Sequence, residues 1–328
     1  MNYRSVADLN SAILRGLWKV PLDVELVVGI PRSGMLAASI LALHRNLPLT
    51  DLEGFLNNKV YVPGATGRIE TARDLLGRRR KVIVIDDSLY SGDTLCRCRS
   101  LISQAYVNHD VRYSVVYVSP NHEKDVDIYF EQVGLPRVFE WNLMGSALLG
   151  RTCFDLDGVF CRDPRPEEND DGALYEKFIE SVDPLWIPRR EVGWVVTSRL
   201  EKYREATVQW LARQQIKYRN LIMLDLPDKE SRLASGCSAA FKAAVYSSVD
   251  ADLFVESYLS QALEIARITS KNVLCVETSE MIQASLVNEY RVRAHSASAS
   301  IKDSFMRITK RTLRLVANLS RDSGTRRG

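Results

Sequence analysis

Short apolar runs alternate with amphipathic stretches in the first half of the chain. Three runs have the length and composition of buried strands: ELVVGI at 25–30, KVIVID at 81–86 and RYSVVYVS at 112–119. Apolar residues recur at helical spacing from Val6, and MLAASILALH at 35–44 is a strong helix pattern. Residues 55–80 have no sustained period, which predicts a mobile loop. Strands separated by helices in this order predict βαβ units and a parallel sheet.

The second half of the chain repeats this alternation. Strand patterns begin at residue 152 and recur at 193–198, 220–225, 252–257 and 272–277. Helix patterns at 206–215 and 260–268 lie between them. We therefore predict an α/β protein with two doubly wound parallel-sheet domains, residues 1–147 and 148–282. A basic, helical tail over residues 283–328 completes this prediction.

The composition is that of a soluble globular protein. The 328 residues are 46% hydrophobic and 26% charged, enough for two cores of roughly 150 residues each. No apolar run approaches the roughly 20 residues of a membrane span, and the N-terminus MNYRSVADLN does not resemble a signal peptide. Six cysteines without a C-x-x-C pair, and only four histidines, exclude zinc-site spacing and predict reduced thiols. A cytoplasmic location is the resulting expectation.

The C-terminal stretch is strongly basic. Residues 290–328 hold ten Lys or Arg against two Asp, a net charge of +8, so the remainder of this +3 chain carries −5. From Ile301 to Leu319 apolar residues form an imperfect helical stripe among these cations. Three interpretations stay open: a helix packed on its own protein, an element that contacts RNA or DNA, and a helix that binds a membrane surface or a partner.

Two adjacent acids end the apolar run VIVID. Asp86 and Asp87 fall at the carboxyl edge of the predicted parallel sheet, where open α/β folds bind ligands. Their carboxylates can accept hydrogen bonds from a ribose diol or hold a metal-bound sugar. The turn that follows combines hydroxyls, a glycine and a helix start, the features of a phosphate cradle. Its residues are Ser91, Gly92, Asp93 and Thr94.

This stretch, VIVIDDSLYSGDT at 82–94, resembles the signature for phosphoribosyl diphosphate (PRPP) in type I phosphoribosyltransferases. The resemblance implies that the two acids and the four turn residues bind PRPP. It departs at Tyr90, where the signature prefers a small residue or an Asp. In purine-specific members that Asp is often a proposed general base. The family's chemistry is displacement at ribose C1 with diphosphate leaving, which implies Mg²⁺ and a nucleobase or nucleotide partner.

An earlier loop resembles a second part of this family. GIPRSG at 29–34 is similar to its pyrophosphate loop, where backbone amides and a cation bind the leaving group. The resemblance implies PRPP binding by Arg32, Ser33 and Gly34. A surface salt bridge for Arg32 stays open as the alternative.

Two further segments complete this resemblance. The loop at 55–80, with Lys59, Arg68 and Arg73, is similar to the flexible loop that closes over the transition state. VFEWNLM at 138–144 is similar to the hood that covers the base, which implies that Trp141 stacks on a nucleobase. A core or domain-interface role for Trp141 stays open.

A second carboxylate pair occurs in TCFDLDG. Asp155 and Asp157 are two apart at a predicted strand, which places both side chains on the same side of the extended chain. One acid can attack a phosphorus while the other shuttles a proton, with magnesium neutralising the charge. This strand-end DxDG resembles the haloacid dehalogenase (HAD) superfamily of phosphatases.

The HAD resemblance implies further site residues in chain order. Thr197 matches the hydroxyl that binds the phosphoryl group, and Lys242 matches the cation that stabilises the charged intermediate. These two join Asp155 and Asp157 as the implied catalytic set. Glu256 matches the acid that completes a Mg²⁺ site with both aspartates. Ser257 departs from the pattern, which commonly has a second acid there.

Together these sites predict a two-domain enzyme of nucleotide metabolism. Phosphoribosyl transfer from PRPP to a nucleobase-like acceptor would be coupled to a Mg²⁺-dependent phosphohydrolase, so that a nucleotide product becomes a nucleoside. The alternative is a sensor or effector of a bacterial or phage conflict system for antiviral defence, held on nucleic acid by the basic tail. A homo-oligomer is compatible with either interpretation.

Overall fold

The structure, a computed structural model, describes residues 1–61, 79–105 and 109–283. The chain divides into two compact units, Met1–Ser146 and Ala147–Gly328. Arg68 and Arg73 lie outside the described residues, as does all of the basic stretch 290–328. The closing loop, the tail that contacts nucleic acid and the defence function that depends on this tail therefore stay predictions.

The first unit contains seven described strands and four described α-helices. The strands are β1 (Asn2–Arg4), β2 (Leu26–Gly29), β3 (Leu49–Asp51), β4 (Lys81–Leu89), β5 (Asp110–Val118), β6 (Ile128–Gln132) and β7 (Arg137–Phe139). The helices are α1 (Val6–Gly16), α2 (Gly34–Arg45), α3 (Leu52–Leu56) and α4 (Asp93–Ala105). Helix α3 occupies the start of the stretch predicted as a mobile loop. Short 3₁₀ turns lie at Leu17–Lys19, Glu123–Asp125 and Glu140–Gly145.

The main sheet of this unit is five-stranded and parallel, in the order β3-β2-β4-β5-β6. Strands β1 and β7 form a separate parallel pair. From β2 the chain moves outward to β3, whereas from β4 it moves in the other direction to β5 and β6. The carboxyl ends of β2 and β4 therefore lie side by side where the strand order reverses. Open α/β folds bind their ligands at this position.

Strand β4 is buried on both faces. Ile83 and Ile85 pack into one hydrophobic cluster, and Val82 and Val84 pack into a second cluster on the other side of the sheet. The strand also extends beyond the predicted end at residue 86. Because Asp86, Ser88 and Leu89 all pair with β5, the ladder continues through both acids. Asp86 and Asp87 are thus held by the sheet itself and not by the loop that follows it.

The second unit contains six described strands and five described α-helices. The strands are β8 (Thr152–Phe154), β9 (Val192–Leu200), β10 (Tyr218–Leu224), β11 (Leu253–Glu256), β12 (Asn272–Cys275) and β13 (Glu280–Ile282). The helices are α5 (Ala173–Ser181), α6 (Arg204–Arg213), α7 (Lys229–Ser235), α8 (Ser238–Ser248) and α9 (Leu259–Thr269). Further 3₁₀ turns lie at Ala147–Arg151, Pro166–Glu168 and Glu201–Tyr203.

All six strands of this unit join one sheet, in the order β10-β9-β8-β11-β12-β13. Every neighbouring pair is parallel except β12 and β13. The chain runs from β8 out to β9 and β10, and from β11 in the other direction to β12. The strand order therefore reverses between β8 and β11, whose carboxyl ends carry Asp155 and Glu256. Each of the two larger sheets takes its strands from one contiguous stretch of chain.

The helices of the described part of the chain are short or polar. Across residues 1–61, 79–105 and 109–283, none combines the length and the apolar character needed to cross a bilayer.

Candidate functional site

Asp87 is the centre of a hydrogen-bonded cluster in the first unit. Its side chain is buried at the carboxyl end of β4. The Ser33 hydroxyl donates to Asp87 Oδ1 at 2.9 Å, and Trp141 Nε1 donates to Asp87 Oδ2 at 2.7 Å. Three segments far apart in sequence therefore meet at one carboxylate. Both donors are neutral groups.

Gly34 allows helix α2 to approach Asp86 closely. A Cβ atom at position 34 would lie 2.8 Å from Asp86 Oδ1 and 2.9 Å from the carbonyl oxygen of Ile85. Any side chain would therefore push the start of α2 away from the sheet. Ser33 precedes this helix, and its hydroxyl donates to Asp87 and makes no bond to the first amides of the helix. The loop at 29–34 and the two acids thus form one compact surface.

The first carboxylate pair carries unbalanced negative charge. Neither Asp86 nor Asp87 has an ion-pair partner among the described residues. The Asp86 carboxyl accepts a hydrogen bond from the backbone N–H of Asp87 at 2.8 Å. Burial, together with the neighbouring charge of Asp87, raises the pKa of Asp86 from 3.8 to about 8. The site is therefore one at which a cation, or hydroxyl donors from a ligand, would be strongly favoured.

The turn after β4 is open to solvent. Ser91, Asp93 and Thr94 are exposed, and the Ser91 hydroxyl donates to Asp93 Oδ2 at 2.7 Å. Gly92 has φ +84°, a left-handed conformation that favours glycine, and a Cβ there would meet no atom within 4 Å. The glycine is thus needed for the backbone angle and not for space. Helix α4 begins at Asp93, so the turn presents the start of a helix as predicted for a phosphate cradle.

Tyr90 and Arg32 both point outward near this surface. Tyr90, at the position where the sequence signature departs, is 66% exposed. The Arg32 guanidinium donates to Asn142 Oδ1 at 3.0 Å, which brings the 29–34 loop to the 3₁₀ turn that carries Trp141. Arg32 has no carboxylate partner among the described residues, so the surface salt bridge considered from the sequence does not form there.

Trp141 is stacked as well as hydrogen-bonded. Its ring lies parallel to that of Phe139, with centroids 5.0 Å apart and an interplanar angle of 4°. Phe139 stacks in turn on Tyr117 at 5.3 Å. One face of the indole is thus occupied by Phe139, and the indole N–H is occupied by Asp87. Stacking on a nucleobase, the role implied by the resemblance, is left to the other face and stays a prediction.

Arg137 is a residue of this region that the sequence did not indicate. Its guanidinium donates to the carbonyl oxygen of Leu89 at 2.7 Å, which fastens the end of β4. Burial lowers its pKa, and the nearby charge of Asp87 opposes that shift. The 48 residues between the two partners leave no local pattern that would have revealed this contact.

In the second unit, Lys242 lies between two buried acids. Its ammonium donates to Asp155 Oδ2 and to Glu256 Oε2, both at 2.8 Å, and to Gln261 Oε1 at 3.1 Å. All three charged side chains are at most 7% exposed. Burial alone would lower the pKa of Lys242, but the two carboxylates outweigh it and raise the pKa above its ordinary value. Three of the residues implied by the HAD resemblance are therefore in contact.

Asp157 has a cation of its own. Arg199 Nη2 and Nε donate to the Asp157 carboxylate at 2.6 Å and 3.0 Å, and the Arg199 side chain is 0% exposed. The Cys161 thiol donates to Asp157 Oδ1 at 3.4 Å. Arg199 was not among the residues singled out in the sequence. A signal was present, since Arg199 is two positions after Thr197 on strand β9 and so shares its face of the sheet.

Thr197 and Ser257 each contact a residue of these two ion-paired groups. Thr197 is buried, and its hydroxyl oxygen accepts from the backbone N–H of Arg199 at 3.2 Å. The Ser257 hydroxyl donates to Glu256 Oε1 at 3.1 Å. A further acid, Asp163, lies close by, and its carboxylate would be 3.0 Å from a Cβ at Gly158. Burial and the charge of Asp157 raise the pKa of Asp163.

The predicted metal set of Asp155, Asp157 and Glu256 does not converge on one point. Within the described part of the chain, no three His, Cys, Asp or Glu side chains form a group that could hold a metal ion. The physical reason is charge pairing, since Lys242 occupies Asp155 and Glu256 while Arg199 holds Asp157. As arranged, these three carboxylates do not fit a Mg²⁺ site.

Comparison with known proteins finds a similarity in the first unit. Residues 3–144 match the family model described as the phosphoribosyl transferase domain. The first unit thus matches this domain model over nearly its whole length and has an α/β fold with a parallel sheet. The match covers less than half of the chain and does not extend into the second unit. No curated protein matches the chain.

Solved structures of phosphoribosyltransferases are similar to about two fifths of the chain. A purine phosphoribosyltransferase from Pyrococcus horikoshii is 16% identical, with 42% of this chain and 92% of that chain covered and a TM-score of 0.32. The xanthine-guanine-hypoxanthine enzyme of Helicobacter pylori is 13% identical, with 43% and 93% covered and a TM-score of 0.33. A hypoxanthine enzyme of Staphylococcus aureus is 19% identical, with 40% and 76% covered and a TM-score of 0.27. These values are too low to assign a substrate.

Proposed function

We propose that the first unit transfers phosphoribose from PRPP to a nucleobase. The observation that carries the proposal is the meeting of Asp86, Asp87 and Gly34 where the strand order reverses, within a matched phosphoribosyltransferase domain. The two acids would accept hydrogen bonds from the ribose hydroxyls, and PRPP would arrive as its magnesium salt. The cation brought by this substrate offsets charge that the described residues leave unbalanced.

The chemistry would be displacement at ribose C1. A ring nitrogen of the base attacks C1 while the bond from C1 to the diphosphate oxygen breaks, and diphosphate leaves with the electron pair. The nitrogen then releases its proton to solvent. Arg32 and the 29–34 loop would bind the leaving diphosphate, and the turn from Ser91 to Thr94 would bind the 5′-phosphate. Position 90 is an exposed tyrosine, so no carboxylate occupies the position of the proposed purine-type base.

A diphosphate-release assay with PRPP, magnesium and a panel of purine and pyrimidine bases tests this proposal. Asp86→Asn replaces a carboxyl group that would accept hydrogen bonds from the ribose and is expected to lower kcat/KM by at least about tenfold. Asp23→Asn is the matched control, because Asp23 is an exposed acid paired with Lys81 at the other end of β4. The proposal fails if no base yields diphosphate and both variants bind PRPP as the wild type does.

For the second unit we propose a phosphohydrolase related to the HAD superfamily. The contact that supports it is the buried cluster of Asp155, Lys242 and Glu256 at the reversal of strand order. An Asp155 oxygen would attack the phosphorus, the bond to the leaving oxygen would break, and water would then release phosphate from Asp155. Lys242 would offset the negative charge. To serve as the proton shuttle, Asp157 would have to leave its ion pair with Arg199.

Phosphate release from a panel of nucleotides and sugar phosphates, with magnesium and with a chelator, tests the second activity. Asp155→Asn is expected to abolish it, because the nucleophile is lost. Asp250→Asn, a change at an exposed acid paired with Arg151, is expected to leave it intact. Equal phosphate release by wild type and Asp155→Asn would exclude the proposed role. Activity of both units on one nucleotide would support the coupled reaction that yields a nucleoside.

A further inference from the structure

A basic pocket lies at the edge of the second sheet opposite to Asp155 and Glu256. It has a volume of about 500 Å³, within the range of small-molecule sites. The segments before β9 and before β10 form it, and a hydrogen bond from the Val192 N–H to the Lys217 carbonyl oxygen at 2.9 Å joins them. Because both strands start there, the pocket is at the amino ends of the sheet. It is therefore separate from the acidic cluster at the carboxyl ends.

The side chains around this pocket carry positive charge only. Four cations line it: Arg189, Arg190, Arg213 and Lys217. None of the described residues that line it is an acid. Glu191, the next residue along the chain, is already paired with Arg219 at 2.9 Å. The charge of the pocket is thus not balanced by the described protein around it.

Three of these cations are available to a ligand. Within the described residues, the side chains of Arg189, Arg190 and Lys217 have no hydrogen-bond or ion-pair partner. Arg213 donates to the carbonyl oxygen of Glu180, a contact that anchors its guanidinium without neutralising it. Clustered arginines repel one another, and a polyanionic ligand relieves that repulsion.

The remaining lining is suited to a nucleotide. Ile187 is 47% exposed and supplies an apolar wall, while Gln214 and Gln215 supply amide donors and acceptors. Gln215 has φ +57°, a left-handed conformation that favours glycine. This conformation ends helix α6 and places the Gln215 side chain beside the pocket. An apolar wall, amides and guanidinium groups together match a base or ribose with its phosphates.

We propose that this pocket is a second phosphate-ligand site, which binds the phosphates of a nucleotide through Arg189, Arg190 and Lys217. The concave shape and limited volume favour one nucleotide unit over an extended surface contact. That unit can come from a free nucleotide or from the end of a nucleic-acid strand. Both sources present the same phosphate chemistry, and the ligand used in the test distinguishes them.

The test is hydrogen exchange of the full chain, because this readout is resolved by peptide and so separates the pocket from the other proposed phosphate sites. Pyrophosphate, ATP and a 5′-phosphorylated oligothymidylate are added separately, and amide protection is followed in peptides that cover 186–192 and 212–218. Protection by pyrophosphate or ATP is expected, with an affinity that falls as salt rises. Protection at concentrations at least tenfold lower with the oligonucleotide would identify a strand end as the source.

Charge-matched variants make the test decisive. The double variant with Arg189→Gln and Arg190→Gln is expected to bind the ligand that gives protection at least about tenfold more weakly. Arg15→Gln with Arg267→Gln removes the same charge from exposed, already paired positions that do not line the pocket and should change the affinity less than threefold. Lys217→Gln is an independent single change with the same expected direction. All these side chains are exposed, so the fold should tolerate the changes.

Three outcomes would overturn the proposal. The first is no protection of either peptide by any of the three ligands. The second is an equal loss of affinity in the pocket variant and in the charge-matched control. The third is equal protection by a glutamate-rich peptide, because this would show a general response to negative charge and no recognition of phosphate.

Discussion

Asp86 and Asp87 in the first unit lie among neutral hydrogen-bond donors, whereas Asp155 and Asp157 in the second unit each contact a buried cation. Ser33 and Trp141 donate to Asp87, and neither carries charge. In the second unit Lys242 and Arg199 are at most 2% exposed and each forms an ion pair. Two carboxylate pairs that look alike in sequence are therefore opposite in electrostatic character.

This difference indicates where each pair obtains its counter-charge. The first pair retains a proton, or receives a cation with its ligand, so ligand binding and protonation compete there. The second pair has its counter-charges built into the fold, and removing one of these would leave an unpaired acid in a dry environment. The comparison predicts that changes in the second unit mainly cost stability, while changes in the first unit mainly alter pH dependence and ligand affinity.

The largest effect is expected from Lys242→Met. It leaves Asp155 and Glu256 buried without their shared cation, and we expect the unfolding free energy of the second unit to fall by about 3–5 kcal/mol. Unfolding in denaturant, monitored by hydrogen exchange of peptides from β8 and β11, measures this loss. Lys177→Met on the exposed face of α5 is the control and should cost under about 0.5 kcal/mol. A similar loss in both variants would contradict the built-in role of Lys242.

A smaller loss is expected from Arg199→Met. Asp157 retains 17% exposure, so water compensates part of the lost ion pair, and we expect about 2–3 kcal/mol. The same denaturant titration measures it. Adding Asp157→Asn should recover part of the loss, because the orphaned charge is then removed. If the double variant is no more stable than Arg199→Met alone, packing of the arginine and not its charge stabilises the unit.

The first pair predicts a different response, a change in pH dependence. Because the pKa of Asp86 is raised to about 8, the folded chain keeps a proton that the unfolded chain loses above about pH 4. This contribution to stability is therefore present at low pH and is lost as pH rises towards 8. Asp86→Asn should flatten that decline and raise stability at pH 8.

Thermal unfolding between pH 5 and pH 8 measures this slope. Asp23→Asn is the control, because hydrogen bonding to Lys81 lowers the pKa of Asp23 and keeps it ionised throughout that range. Its slope should equal that of the wild type. An Asp86→Asn variant with the wild-type slope would show that Asp86 is already ionised in the folded chain.

The smallest effect is expected from Trp141→Phe. This change keeps a ring to stack on Phe139 but removes the donor to Asp87, a loss of about 1–2 kcal/mol in the stability of the first unit. Calorimetric unfolding and PRPP titration measure it, with weaker PRPP binding expected because Asp87 is less well positioned. Trp18→Phe is the matched control, since Trp18 is 79% exposed. An equal effect of both changes would contradict the proposed role of Trp141 in positioning Asp87.

Local pattern was enough to predict the parts of the fold that depend on the periodicity of apolar residues. The parallel sheet of the first unit follows from apolar runs separated by helices, and the match over residues 3–144 confirms the phosphoribosyltransferase resemblance. The end of β4 was placed too early at residue 86, because pairing with β5 carries the ladder on to Leu89. Acids are poor strand formers, so propensity alone suggests a stop where tertiary pairing continues.

Contacts between distant segments could not be predicted. Ser33 and Trp141 each lie 54 residues from Asp87, in opposite directions along the chain, and nothing local links them. Arg199 was missed because a charged residue near a strand end usually reaches solvent, whereas here Asp157 makes its complete burial tolerable. The sequence thus indicated the candidate ligand groups but not the partners that set their charge.

The contiguity of the two sheets has a consequence for how the protein is made. Every described strand of the five-stranded sheet belongs to the first 146 residues, and every described strand of the six-stranded sheet comes later. The ribosome therefore delivers all described pairing partners of the first sheet before it translates any described strand of the second. The first unit can complete its fold during translation, and its apolar strands need not wait exposed for the rest of the chain to emerge.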